Sequence, residues 1–125
     1  MAYENSLLSA GPMPDLAPMI HRQRLVVEGR VNHVITEDEI TRYLKELSDF
    51  CKMDRLIEPV THCSDLYGWA GWVHWEASGA HLYAWERPVL FFSVDIYTCA
   101  PFDSLAVVGF TGDFFAAEEV VAKDF

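Results

Sequence analysis

Three strand-like runs follow one another with almost no chain between them, at residues 69–77, 80–86 and 89–98. They are rich in aromatic and β-branched side chains, and the pairs Ser78-Gly79 and Arg87-Pro88 separate them. Connections this short join antiparallel neighbours, because a parallel crossover needs about a dozen residues or more. The segment therefore predicts the centre of an antiparallel sheet in which Ser78-Gly79 forms a two-residue turn.

The two faces of this predicted sheet differ in character, since residues two apart on a strand share a face. One face of the third run is apolar and requires a cover of helices; it carries Leu90, Phe92, Val94 and Ile96. The other face is too polar for a second core, and it predicts a pocket or a subunit interface. Its members are Trp72, His74, Glu76 and Ser78 in the first run, His81, Tyr83 and Trp85 in the second, and Ser93, Asp95, Tyr97 and Cys99 in the third.

The segment that begins at Thr36 predicts an amphipathic helix of about 15 residues. Thr36 and Glu39 have the spacing of a capping box, in which each side chain bonds the backbone N–H of the other residue. One apolar stripe follows at helical spacing. It consists of Ile40, Tyr43, Leu44, Leu47, Phe50 and Cys51.

The remaining elements complete the order β, α, β, β, β, β, α, β. Strands are predicted at Arg24–Gly29, at Leu56–Cys63, which Pro59 interrupts or places at a sheet edge, and at Glu118–Phe125. Asp103 can cap a helix from Ser104 to about Phe114, with Leu105, Val108 and Phe115 near one face. This order is typical of the α+β class, here a two-layer α/β sandwich with a mainly antiparallel sheet and helices on one face.

Residues 1–20 predict an extended N-terminal arm, because three prolines and a glycine fall within its second half. Residues 21–125 then form one domain, large enough for a hydrophobic core.

The formal charge of −10 argues against partners such as nucleic acid or an anionic membrane surface, and it suits a cationic small molecule. An odd number of cysteines without CxxC spacing indicates neither a disulfide framework nor a zinc ribbon. The N-terminus lacks a signal-peptide pattern, and no run approaches the roughly 18 apolar residues of a membrane span. We therefore expect a cytoplasmic protein with reduced thiols.

Three kinds of chemistry fit the polar face. Cys99 is a candidate nucleophile with His81 or His74 as its base. A metal site built from His74, Glu76 and His81, or from the pair His62-Cys63, is a weaker hypothesis because no further patterned ligands accompany either set. A serine in a tight turn can also attack the preceding carbonyl, cleave the chain and leave a pyruvoyl group, an electron sink like pyridoxal phosphate.

The segment from Glu76 to Cys99 resembles the short prokaryotic S-adenosylmethionine decarboxylases, as a divergent member. That family has a serine in an acid-rich strand, a tryptophan seven residues later and a strand of the form Asp-Val/Ile-Phe/Tyr-Thr-Cys. Here Ser78, Trp85 and the run Asp95 to Cys99 match these features. The likeness extends loosely from Arg24 to Phe125.

The resemblance implies an α/β sandwich that self-cleaves at the serine, uses the resulting pyruvoyl group as its cofactor and forms homodimers. It makes Ala77-Ser78 the scissile bond and Cys99 the proton donor in decarboxylation. Four departures accompany it: Ala77 separates Glu76 from the serine, Gly79 and Tyr83 replace histidines, and the serine-to-cysteine spacing is one residue longer. Together with the polar face, the candidate catalytic residues are Ser78, Cys99, Tyr83, His81 and Glu76, and the candidate substrate-binding residues are Trp72, His74, Trp85, Glu86, Asp95 and Tyr97.

Three functional hypotheses follow. The first is a pyruvoyl-dependent decarboxylase acting on S-adenosylmethionine or a related amino acid. The second is an unprocessed homologue that binds S-adenosylmethionine or cleaves it by a lyase-type reaction, with Tyr83, His81 and Glu76 as the oriented groups. The third is a non-catalytic binding module whose aromatic residues shape a dimer interface.

Overall fold

A computed structural model of the chain describes residues 11–125. All six strands form one antiparallel sheet in the order β2-β3-β4-β5-β1-β6. The elements are β1 Gln23–Arg30, α1 Glu37–Phe50, β2 Val60–Cys63, β3 Trp69–Trp75, β4 Ser78–Trp85, β5 Phe91–Thr98, α2 Ser104–Phe114 and β6 Glu119–Asp124. The α+β class and the predicted element order are confirmed.

The core lies between one face of the sheet and the two helices. Alternate residues of the central strands are buried there, as the pattern of two predicts. The sheet supplies Leu25, Val27, Val73, Trp75, Ala80, Leu82, Ala84, Phe92, Val94 and Ile96, and the helical layer supplies Ile40, Tyr43, Leu44, Leu47, Val107 and Phe115. The helices cover only this face, so the side chains of the opposite face remain open.

Two buried hydrogen bonds fasten α1 to the elements around it. The Trp75 indole N–H donates to the Ser48 hydroxyl at 2.8 Å, and Ser48 in turn donates to the Leu44 carbonyl at 2.7 Å. The hydroxyl oxygens of Tyr43 and Thr111 lie 2.8 Å apart and join α1 to α2. Burial raises the pKa of Tyr43 far above its usual range, so this phenol stays neutral.

Helix α1 agrees closely with the sequence prediction. Thr36 accepts from the Glu39 N–H at 3.2 Å, and Glu39 accepts from the Thr36 N–H at 3.3 Å, so the capping box is present. Phe50, however, is 45 % exposed, although it continues the predicted apolar stripe.

The predictions for the outer elements are confirmed only in part. Pro59, which has no N–H to donate, interrupts the predicted run as expected, so β2 contains only Val60–Cys63 and lies at the edge of the sheet. Of the predicted face of α2, Phe115 is buried and Val108 packs against the core, whereas Leu105 is 84 % exposed and Val107 and Thr111 are buried in its place. A helix that is apolar on all sides gives no periodic signal from which its buried side can be chosen.

The described part of the arm, residues 11–20, contains no helix or strand. The first ten residues of the predicted arm lie outside the described residues. Within residues 11–125, no helix has the length and apolar character needed to cross a membrane.

Candidate functional site

A groove of about 440 Å³ opens on the uncovered face, at the end of the sheet where β3 turns into β4. Strand register brings its side chains together from four neighbouring strands: His81 pairs with Asp95, and Arg24 pairs with Tyr97. The lining residues are Arg24, His74, Ala77, Ser78, Gly79, His81, Asp95 and Tyr97. Five of them are site residues that the sequence predicts.

The turn between β3 and β4 is Glu76-Ala77, and the prediction of Ser78-Gly79 is wrong. Trp75 pairs directly with Ser78, and Ala77 takes the left-handed conformation with φ of 52°. Gly79 lies inside β4, where an added Cβ would lie 2.9 Å from the Val73 carbonyl oxygen and 3.2 Å from His74 Cδ2. The glycine is therefore needed for close packing within the hairpin.

This shift of the turn changes which residues share a face. Glu76 is no longer aligned with Trp72 and His74, and it lies exposed in the turn. Ser78 becomes the first residue of β4 and alternates with His81 instead of sharing its face. Because Ser78 stands at the very end of the sheet, it still lines the groove.

The Ser78 hydroxyl is tied to the end of β5. Its Oγ accepts a hydrogen bond from the Cys99 backbone N–H at 2.9 Å, just past the last residue of the strand. The donor is a main-chain group, so the side chain of Cys99 is not needed to hold it. Two residues that are distant in sequence, and both predicted to be catalytic, thus meet here.

An ion pair crosses the groove between β1 and β5. Arg24 donates from Nε to Asp95 Oδ1 at 3.0 Å and from Nη2 to Asp95 Oδ2 at 2.7 Å. This two-point contact raises the pKa of Arg24 and keeps it cationic. The sequence predicts Arg24 in a strand but assigns it no functional role, because only the pairing of β1 with β5 reveals its neighbour.

A second arginine lies at the Cys99 end of the same face. Gln23 pairs with Thr98, and the next residue outward, Arg22, lies near Tyr97 and Cys99. Its guanidinium donates to Asp15 at 2.6 Å and to the Ile20 carbonyl at 2.7 Å. The hydrogen bond to Asp15 raises the pKa of Arg22. The arm is therefore fastened beside the predicted proton donor.

An aromatic cluster borders the groove on the β3 side. The rings of Trp72 and His74 lie 4.4 Å apart, and those of His74 and His81 lie 5.8 Å apart at 76°. These predicted site residues form one continuous surface beside Ser78. Their faces offer a platform for a planar or cationic group.

Three other predicted site residues lie away from the groove. Tyr83 pairs with Ser93 and Trp85 pairs with Phe91, further along β4, and Glu86 follows the strand as an exposed residue. The rings of Tyr83 and Trp85 are 6.3 Å apart. Tyr83 stands where the resemblance leads one to expect a histidine. Within one copy of the chain it does not line the groove that contains Ser78, whereas His81 does.

No three metal-ligating side chains are grouped together within residues 11–125. The weaker alternative, a metal held by His74, Glu76 and His81, therefore has no preformed ligand set in that part of the chain. The pair His62-Cys63 stands on the edge strand β2, with both residues exposed.

The fold is shared with a known enzyme. The chain superposes on the crystal structure of the adenosylmethionine decarboxylase from Aquifex aeolicus VF5 with a TM-score of 0.69, over 85 % of this chain and 89 % of that one. Sequence identity is 14 %, so the likeness establishes a common fold and a distant structural relationship. No family model and no curated protein matches the sequence.

Proposed function

We propose that this chain is an S-adenosylmethionine decarboxylase-like enzyme that cleaves itself between Ala77 and Ser78. The observation that carries the proposal is the arrangement at the start of β4. A serine hydroxyl held by the Cys99 N–H directly follows a two-residue turn whose second residue, Ala77, has a left-handed backbone. The fold shared with a decarboxylase supports the same assignment.

The turn favours attack on the Ala77 carbonyl for two reasons. A non-glycine residue with positive φ carries strain on the order of 1 kcal/mol, and cutting the following peptide bond releases it. The hydrogen bond from Cys99 N–H uses one lone pair of Ser78 Oγ, while the other lone pair and the hydroxyl proton remain available.

The bond changes of self-cleavage balance with water alone. Ser78 Oγ attacks the Ala77 carbonyl carbon and converts the amide into an ester. Loss of the Ser78 α-proton then expels the Ala77 carboxylate from the β-carbon, and water replaces the nitrogen of residue 78, which leaves as ammonia. The C-terminal fragment then begins with a pyruvoyl group, which accepts electrons when an amino acid loses CO2.

His81 is the best-placed base for the proton steps, since it lines the groove with Ser78 and is uncovered. Tyr83 lies further along β4, so His81 takes the part of the histidine that the resemblance leads one to expect at position 83. Cys99 returns a proton to the α-carbon of the product. Trp72 and His74 support the planar part of the substrate, and Asp95 and Tyr97 complete the wall.

The substrate is S-adenosylmethionine or a related amino acid that carries a positive charge. The formal charge of −10 favours a cation over an anion. Homodimerisation through the uncovered sheet face accompanies the proposal, because Tyr83, Trp85 and Glu86 reach a substrate only if another copy brings a groove to them.

A second candidate is an unprocessed homologue that binds S-adenosylmethionine or cleaves it by a lyase-type reaction. One observation favours it: Tyr83 takes the place of the histidine and lies outside the groove. In that reaction an oriented base and a pocket for the sulfonium group suffice, and the chain stays whole.

The intact mass of the purified protein decides between these candidates. Self-cleavage yields residues 1–77 and a fragment 78–125 that begins with pyruvoyl, and Ser78→Ala leaves one chain. We expect His81→Ala to slow cleavage at least tenfold and Tyr83→Phe to leave it nearly unchanged. Cys99→Ala keeps the backbone donor, so it should still cleave and fold but lose release of CO2 from S-adenosylmethionine.

A single intact chain in the wild type refutes the decarboxylase proposal. Release of methylthioadenosine by that intact chain then identifies the lyase. An intact chain that neither releases methylthioadenosine nor CO2 leaves only a non-catalytic binding module.

A further inference from the structure

Helix α2, on the opposite side of the molecule from the groove, is apolar around its whole circumference. Its sequence from Ser104 to Phe114 contains one charged residue, Asp113, yet only Val107 and Thr111 are buried. A helix with this composition is normally surrounded by protein. Here Leu105 is 84 % exposed. The outer side of α2 therefore has the character of a contact surface.

A second groove, of about 560 Å³, runs along this surface between α1 and α2. Its lining consists of Phe50, Ala106, Gly109, Phe110, Asp113 and Phe114. The Phe50 and Phe110 rings stack at 4.7 Å and 20° at the surface. A Cβ added to Gly109 would meet nothing within 4 Å, so another chain can approach the helix backbone closely at this point.

The charges at this groove identify what covers it. Arg42 stands over the Phe114 ring at 5.0 Å, and no carboxylate of residues 11–125 lies within ion-pair distance of it. The Asp113 carboxylate is likewise without an ion pair in that part of the chain, although it lines the groove. One unpaired cation beside one unpaired anion is complementary to itself under a two-fold rotation.

The overall charge points the same way. A partner of different sequence would complement a chain of charge −10 best if it were basic, and a basic partner gains nothing from Arg42. Two copies of a chain of charge −10 repel each other overall, and pairing Arg42 of one copy with Asp113 of the other offsets that repulsion at this face.

We propose that this face is a two-fold interface between two copies of the chain. Leu105 and Phe50 of each copy pack into the groove of the other, and Arg42 of each copy pairs with Asp113 of the other. The proposal is independent of the enzymatic assignment, because the face lies across the helical layer from Ser78.

Sedimentation equilibrium of the full chain tests the interface. Leu105→Glu is expected to halve the mass of the assembly, since a buried carboxylate faces an apolar groove in both copies. Leu66→Glu is the matched control, because Leu66 is also highly exposed and lies in the loop between β2 and β3. A mass unchanged by Leu105→Glu, in a variant with the wild-type circular dichroism, overturns the proposal.

A charge exchange identifies the occupant. Arg42→Glu alone and Asp113→Arg alone each place like charges across the two-fold axis and are expected to weaken association at least tenfold. The double variant restores opposite charges and should recover the wild-type mass. If both single variants dissociate and the double variant also fails to associate, Arg42 does not pair with Asp113. That result rules out this two-fold arrangement.

Discussion

Ala77 is the residue at which backbone conformation and proposed chemistry meet. Its φ of 52° is strained for any residue with a side chain, and its carbonyl is the group that Ser78 would attack in the proposed cleavage. Ala116 has a φ of 49° after α2, far from the groove, so the chain contains a second alanine with the same conformation and no proposed role.

We predict that Ala77→Gly raises the free energy of unfolding by about 0.5 kcal/mol, because relief of strain slightly exceeds the entropy that glycine adds to the unfolded chain. The same change is expected to slow self-cleavage several-fold, since the peptide no longer stores that strain. Urea denaturation of the cleavage-blocked Ser78→Ala background measures the first effect, and a gel time course measures the second.

Ala116→Gly is the control for this prediction. It should give a similar gain in stability and leave the cleavage rate at the wild-type value. If Ala77→Gly cleaves as fast as the wild type, strain at the turn does not drive the reaction.

At the scale of elements, the capping box stabilises the N-terminus of α1, the helix that packs on the sheet. Thr36→Ala removes the acceptor for the Glu39 N–H and is expected to lower the free energy of unfolding by about 1 kcal/mol. Thr41→Ala, in the helix interior, should be neutral or slightly stabilising because alanine is the better helix former. Urea titrations with an unchanged m-value measure both, and equal losses would contradict the role of the capping box.

Elements whose signals are local could be predicted from the sequence. The capping box of α1, the Asp103 cap of α2 and the alternation of Phe92 to Ile96 in β5 each depend on residues a few positions apart. The β3–β4 turn could not, since Ser78-Gly79 has turn composition but Gly79 is required for contact with His74. That contact exists only once the strands are paired.

The residues of the candidate site could be predicted from the sequence better than their arrangement in space. Alternation along β4 and β5 correctly grouped His81 with Asp95 on the uncovered face. The position of Arg24 in the groove depends on the pairing of β1 with β5. About 60 residues of chain separate these strands, so no local pattern encodes it. The buried side of α2 was predicted only in part, since Phe115 is buried but Leu105 is exposed: an apolar helix has no polar side that marks the opposite one as buried.

At the scale of the molecule, the uncovered sheet face is unusual in its side chains. An antiparallel sheet can leave one face in water, but such a face is normally polar. Here Tyr83, Tyr97 and Val121 are all roughly half exposed or more on it, so the face combines a groove with a large apolar surface. The proposed sheet-to-sheet contact between two copies would cover that surface and bring the far end of β4 within reach of a groove.

Val121→Glu tests this contact without touching the groove, because Val121 stands on the outer strand β6 and lines no part of the Ser78 region. We expect it to lower the mass of the assembly, because the contact would bury a carboxylate against an apolar surface, while circular dichroism stays unchanged. Val89→Glu, in the exposed β4–β5 connection, is the control.

Because the sheet face and the helical face lie on opposite sides, the effects of Val121→Glu and Leu105→Glu should combine, so that the double variant is a monomer. If the assembly of the double variant has the same mass as that of Leu105→Glu alone, the sheet face is not an interface. In that case Tyr83, Trp85 and Glu86 do not bind substrate.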